Sequence, residues 1–337
     1  MFQKFILGIT KKLRNKFGPK IDDKNKDFFI SDVNKIDRDF GIFDKLITFY
    51  IERNVDALLE KILQKFQKLN LQLKIGIEIE FCLKNYDDND EFFLKVKEFC
   101  KANDIQIGNI ETERGQNQYE IKFLPYTDVK KLINDFNFLK SYLLNNFYAN
   151  FDLIYDYKQP FNALQTNISL WNKNDNLFAK NGDEESELLI YSINGLLDNT
   201  NKFLNFYVKN DFECVRFGLN INEILQDAGF VPAPVFLSWG VNNRTASVRV
   251  PVPKDLSDLH NYHNIDKIER RIEYRIPSAN ANIKLVLYCN LVSIYDGIIN
   301  KKNDFKKNNY NIIKSYSFLK KIQKEEIKSS SYSEWIF

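Results

Sequence analysis

An α+β fold, with a largely antiparallel sheet flanked by helices, is what this chain predicts. Long stretches with apolar residues at helical spacing stand apart from short stretches of period two, instead of alternating with them strictly. Three of the period-two stretches, GIEIEF, ETERGQNQYE and RIEYRIP, interleave acids with Ile, Tyr or Phe, so each strand presents one apolar face and one face of carboxylates.

Residues 1–70 read as a helical N-terminal extension. Its polar, broken segment KNKDFFISDVNKIDRDFG precedes DKLITFYIERNVDALLEKILQKFQKL, where Leu and Ile recur at helical spacing. From Leu71 the period changes to two, and LQLKIGIEIEFCL is a strand. NDEFFLKVKEFCKAN returns to helix; strands follow at Ile105 to Ile110 and Tyr119 to Leu124, then a long helix over Thr127 to Tyr148. NALQTNISLW is a strand and ESELLIYSINGLLDNTNKFLNFYV a second long helix. After the loop DAGFVPAP come three close strands, PVFLSWG, TASVRVPV and RRIEYRIP. The helix NIKLVLYCNLVSIYDGI closes a domain of residues 71–300, and 301–337 form a basic tail of low complexity.

The bulk numbers exclude several classes. At 337 residues and 44% hydrophobic, the chain can bury one large core or two smaller ones. Lys and Arg number 48 against 45 Asp and Glu, too even a balance to argue for nucleic acid. The four cysteines, Cys82, Cys100, Cys214 and Cys289, are dispersed with no CxxC pair, as expected of reduced thiols in a cytoplasmic protein. No stretch approaches the roughly 18 apolar residues of a membrane span. The opening MFQKFILGITKKLRNKFG places its charges after the apolar run, unlike a signal peptide. It reads as a basic tail, or as an amphipathic helix against an anionic surface.

Glu78, Glu80, Glu113, Glu120 and Glu273 carry the chemistry. Alone, each pair fits the wet face of an edge strand. Brought onto one sheet, five carboxylates would need cations, and oxygen-only acidic clusters are how proteins hold Mg²⁺ or Mn²⁺ beside phosphates. In RIEYRIP, Arg271, Glu273 and Arg275 project from one side, with Arg244 and Arg249 upstream in RTASVRVP. Such a row either neutralises itself across strands or holds one metal carboxylate between anion-binding forks. His260 and His263, in the polar DLHNYHN, read as solvated.

Taken in order, these motifs resemble the catalytic domain of the glutamine synthetase family. GIEIEF is similar to its first metal strand, Glu113 to Glu120 to its ExGxGQxE segment, and NISLW…DNLF to HxHxSLW…NLF. YSINGLLDN, APVFLSWGVNNRTASVRVP and RRIEYRIPSANANIKLVLYCNLVSIYDGI are similar to its later segments, in unbroken order from Leu71 to Ile298. The resemblance implies a curved sheet and an ATP-dependent ligase that joins ammonia to glutamate through an acyl phosphate, clamped by two Mg²⁺ or Mn²⁺ ions. It implies Glu80, Glu113 and Glu120 at one metal, and Glu78, Glu273 and Gln165 at the second beside the nucleotide. Arg244 and Arg249 would meet phosphate, and Arg275 the substrate carboxylate.

Several positions depart from the family pattern. Gln165 and Asn167 stand where the family has histidines, and Phe161 to Leu164 where it has a glycine-rich loop. Cys214 falls where a substrate arginine belongs, with Arg216 two residues on; Pro232 falls on the glutamate base, and Asn117 on a loop glycine. Residues 1–70 lack the pattern of the small β-grasp domain that completes the family's intersubunit site, so a homo-oligomer other than the usual ring is expected. Two readings stay open: a ligase acting on another amino acid or amine, or a pseudoenzyme that binds nucleotide as a scaffold or regulator.

Overall fold

The computed structural model describes residues 40–84, 89–152, 161–180, 182, 184–208, 213, 216–217, 233–234, 236–251, 269–303 and 320–321. The N-terminal basic stretch, Cys214, Pro232, both histidines and most of the basic tail lie outside them.

Helix α1 spans Phe40–Lys68, followed by strand β1 (Gln72–Cys82), α2 (Asn89–Ala102), β2 (Ile107–Thr112) and β3 (Gln118–Phe123). Next come α3 (Val129–Phe147), β4 (Leu164–Asn172), β5 (Asp175–Asn176) and α4 (Glu187–Tyr207). The last elements are β6 (Phe236–Leu237), β7 (Trp239–Val241), β8 (Val248–Val250), β9 (Ile272–Tyr274), α5 (Ile283–Ile299) and β10 (Lys320–Lys321). An eight-stranded sheet runs β2-β3-β1-β4-β9-β8-β7, with β5 on β4. Strands β7 and β8 pair in parallel, and the other ladders described are antiparallel.

Strands β8 and β9 are only the three-residue middles of TASVRVPV and RRIEYRIP, and two other strands differ from expectation for a visible reason. Strand β2 starts at Ile107 because Ile105 is spent closing α2, its N–H donating to the Cys100 carbonyl. PVFLSWG divides at Ser238: β6 pairs with β10, and β7 joins the main sheet.

Alternation sorts the sheet's side chains. Ile75, Ile77, Ile79, Phe81, Tyr119, Ile121, Ile168, Ile272 and Tyr274 are buried on the apolar face. Helices cover that face. Phe92 of α2 packs on Phe81 and Tyr119, Phe136 of α3 on Phe123, and α4 and α5 lie beneath β4 and β9. The α4–α5 crossing is close because Gly195 meets Gly297: a Cβ on Gly195 would stand 2.0 Å from the Ser293 carbonyl oxygen. Helix α1 docks on α5 through Phe66, whose ring lies edge-on to Tyr295 at 5.8 Å, and through a Lys284–Asp56 ion pair at 2.6 Å. Its Ile51, Val55, Leu58 and Ile62 enter the same core as the sheet. Among the described residues no helix is long and apolar enough to cross a membrane.

Candidate nucleotide and metal face

The opposite face of the sheet is polar across six strands, β2, β3, β1, β4, β9 and β8, and register decides what meets. In the β1–β3 ladder Glu80 faces Glu120 and Glu78 faces Lys122, while Glu111 faces Glu120 across β2–β3. Glu78 faces Gln165 and Gly76 faces Asn167 across β1–β4. Asn167 faces Glu273, and Glu273 faces Arg249. Arg275 follows β9 directly, and Arg244 sits exposed in the turn before β8. That turn is formed by Asn243, whose side-chain oxygen accepts from the Thr245 N–H at 2.9 Å.

Charge is segregated along this face. At the β1–β3–β2 end, oxygens of Glu111, Glu113 and Glu120 lie within 4.8 Å of one another. Glu80 sits beside them, accepting from the Ala163 N–H at 2.8 Å and the Gln165 amide at 3.1 Å. Burial, and then the charge of Glu113, push the Glu80 carboxyl up to about 7, against the pull of Ala163, Arg275 and Gln165. Burial and the charges of Glu78 and Glu80 push Glu120 up to about 10, although Lys122 lies 2.7 Å away and pulls the other way. The proton held is a property of the whole group: the carboxylates outnumber the cations among them. Lys122 also bonds Glu111.

At the β9–β8 end the balance reverses. Glu273, almost wholly buried, accepts from Arg275 at 2.8 Å on one oxygen and from Arg249 at 2.7 Å on the other. Burial alone would raise its pKa, but Arg275 and Arg249 outweigh burial and hold it below the usual carboxylate range. Arg271 donates to Asn167 at 3.0 Å, and Asn167 passes its own amide to Glu78 at 2.8 Å. Gln165 spends both ends of its amide, accepting from Arg275 at 3.2 Å while donating to Glu80. Arg249 and Arg275 each keep a buried Nε–H that no atom of the described residues accepts.

The segment that stands where the family resemblance implies a glycine-rich loop is anchored by Asn162. Its side chain takes the Gln118 amide at 3.0 Å and donates to the carbonyls of Asn150 and Asp152. Asn117 adopts a left-handed φ of 52°, a conformation Asn tolerates without a glycine. Arg216 does not face the polar row: it is buried, bonds the Ile276 carbonyl and stacks on Phe217 at 4.6 Å.

Sequence reasoning passed over two residues of this face. Glu111 shares the period-two phase of Glu113 in ETERG, a signal that strict counting would have caught. Lys122, two positions past Glu120, is in phase with it, but only the three-strand register places its ammonium among acids from β2 and β3.

The sequence model of a family described as "Glutamine synthetase, catalytic domain" matches residues 83–325, well over half of the chain. The chain belongs to the glutamine synthetase family. The matched stretch opens just after β1, so Glu78 and Glu80 precede it. The glutamine synthetase of Pyrococcus horikoshii is 28% identical over 288 residues, covering 75% of this chain and 58% of that protein. That of Helicobacter pylori J99 is 26% identical over 153 residues, covering 45% and 27%. The chain thus spans a little over half the length of the longer-matching relatives. Among solved structures, glutamine synthetase of Plasmodium falciparum aligns with a TM-score of 0.58 at 20% identity, covering 74% of this chain and 56% of that one. A structure described as a GmaS/ADP complex aligns at 0.59 and 15%, covering 81% and 66%. Both share the glutamine synthetase fold with this chain.

Proposed function

We propose that this member of the glutamine synthetase family binds a nucleotide polyphosphate on the arginine half of its polar face and does not make glutamine. The carrying observation is a pair of buried donors, Arg249 Nε and Arg275 Nε, that find no acceptor among the described residues, beside the exposed cation of Arg244. Buried N–H groups without an acceptor are costly, and a phosphate oxygen would satisfy them in the geometry that guanidinium favours. The ADP named for the GmaS structure and the family's use of ATP support the same reading.

The acidic half fits one divalent ion. Glu113, Glu120 and Glu80, with Glu111 beside them, offer the hard oxygen donors that Mg²⁺ or Mn²⁺ takes, and carboxyls crowded enough to hold protons are ones a cation would relieve. When bound, such an ion would neutralise phosphate charge. The second place fits poorly. Both oxygens of Glu273 are held by arginines, the Gln165 carbonyl accepts from Arg275, and Glu78 shares its carboxylate with Asn167. Without a second ion, and with Cys214 and Pro232 where the resemblance implies a second substrate arginine and the glutamate base, acyl-phosphate chemistry lacks parts.

Calorimetric titration of the chain with ATP and ADP, with and without Mg²⁺, tests this. Binding is expected in both conditions and should weaken about 10- to 100-fold in Arg249→Ala, the value of one charge-assisted contact. Glutamate and ammonia should release no ADP. Absence of binding, or metal-dependent ADP release with those two substrates, would overturn the proposal.

A second reading, ligation of another amino acid or amine, draws on Arg275, which stands at the family's substrate-carboxylate position. A screen of amino acids and polyamines for ADP release decides it; uniform silence removes it.

A further inference from the structure

The acidic half carries a cation of its own. Lys122 reaches from β3 to Glu120 at 2.7 Å and to Glu111, two of the three acids whose oxygens gather within 4.8 Å. Its Cα lies opposite Glu78, so the ammonium stands amid carboxylates of its own strand and of both neighbours, β1 and β2. The side chain is 35% exposed, whereas Glu120 is 4% exposed, so the lysine enters the cluster from its solvent side. Lysine is a compact point charge on a flexible stem, able to sit among oxygens or swing into water. Any divalent ion coordinated by Glu111 and Glu120 would compete with this ammonium for the same two carboxylates, and it would be repelled by the lysine at that range.

We propose that Lys122 is a built-in counter-cation, and that a divalent ion enters the group of Glu111, Glu113 and Glu120 only by displacing it. The inference rests on the reading of this half as an ion site, but not on nucleotide binding at the arginines. It follows that the cluster folds without metal, and that its ion affinity is set by a competing side chain of the same protein. Lys122 is a positioning residue here: it acts on the ion through the carboxylates.

The test is Mn²⁺ titration, read by calorimetry and by the spin-resonance signal of free Mn²⁺, on the full chain after chelator treatment. Wild type is compared with Lys122→Met, Lys122→Arg and the double variant Lys122→Met with Glu113→Gln. Lys122→Met should bind Mn²⁺ at least ten-fold tighter than wild type, Lys122→Arg should not, and the double variant should lose the gain. Without metal, Lys122→Met should melt below wild type, with Mn²⁺ restoring the difference. Should Lys122→Met be insoluble, Lys122→Gln makes the same comparison. Equal Mn²⁺ affinity in wild type and the neutral variant, no binding in any variant, or a gain that survives Glu113→Gln would each overturn the proposal. ATP titration in chelator is run alongside, so that failed nucleotide binding is told apart from failed competition.

Discussion

Glu273 is the residue on which the arginine half turns. It is 1% exposed and is held on both oxygens, so its charge is already answered by Arg275 and Arg249. Replacing it with Gln keeps the shape and strands two guanidinium groups without an anion. Removing one partner of a buried pair costs about 3–5 kcal/mol, whereas a well-made pair itself adds little. Glu273→Gln is therefore expected to lower stability by about 3 kcal/mol in denaturant titration. An unchanged midpoint would mean that water or another acid answers the arginines. Asn167 acts at the same scale: it bridges Arg271 and Glu78, a structural task for an amide at a position where the family resemblance implies histidine.

At the scale of elements, the α4–α5 crossing positions β4 and β9 from below. Thr200 of α4 bonds Tyr274, and Asn290 of α5 bonds Thr166, each at 2.9 Å. The contact that permits this is glycine on glycine: a Cβ on Gly297 would lie 1.9 Å from the Tyr191 carbonyl oxygen, a backbone atom that cannot turn aside. Gly297→Ala should cost about 3 kcal/mol, at the upper end of ordinary overpacking, because two helices must part. Thermal melts would show it, and a neutral result would mean that the crossing is looser than drawn. Phe66 of α1 makes a parallel case. Its removal as Phe66→Ala should cost about 3–5 kcal/mol, because the ring is 1% exposed against Tyr295.

For the whole molecule, the crowded acids predict a pH dependence. A carboxyl whose folded-state pKa stands above its unfolded value near 4.5 binds more protons folded than unfolded across that interval. Stability is then lost as pH rises through about 7 for Glu80 and about 10 for Glu120. Glu273, shifted downward, acts only below the ordinary carboxylate range, where acid would unmake its pairs. Metal-free protein should thus melt higher at about pH 5 than at about pH 8, and a bound divalent ion should flatten the slope. Melting that rises with pH would contradict it. Assembly belongs to this scale as well. Where the family resemblance implies a small β domain before the first metal strand, residues 40–68 are a helix packed on the chain's own α5. Light scattering is expected to give a particle smaller than a dodecamer, and a dodecameric mass would refute that.

Period-two alternation made the acid-bearing strands and their apolar backs readable, because a strand's faces are set by local geometry alone. The order of those strands in a family resemblance was equally plain in the residues from Leu71 to Ile298. Tertiary structure alone decided which charges answer which. Register put Lys122 among Glu111 and Glu120, and set Glu273 between two arginines; a shift of one residue would have sent each to the other face. It also decided that α1 docks on α5, since helical periodicity names an apolar stripe without naming what covers it.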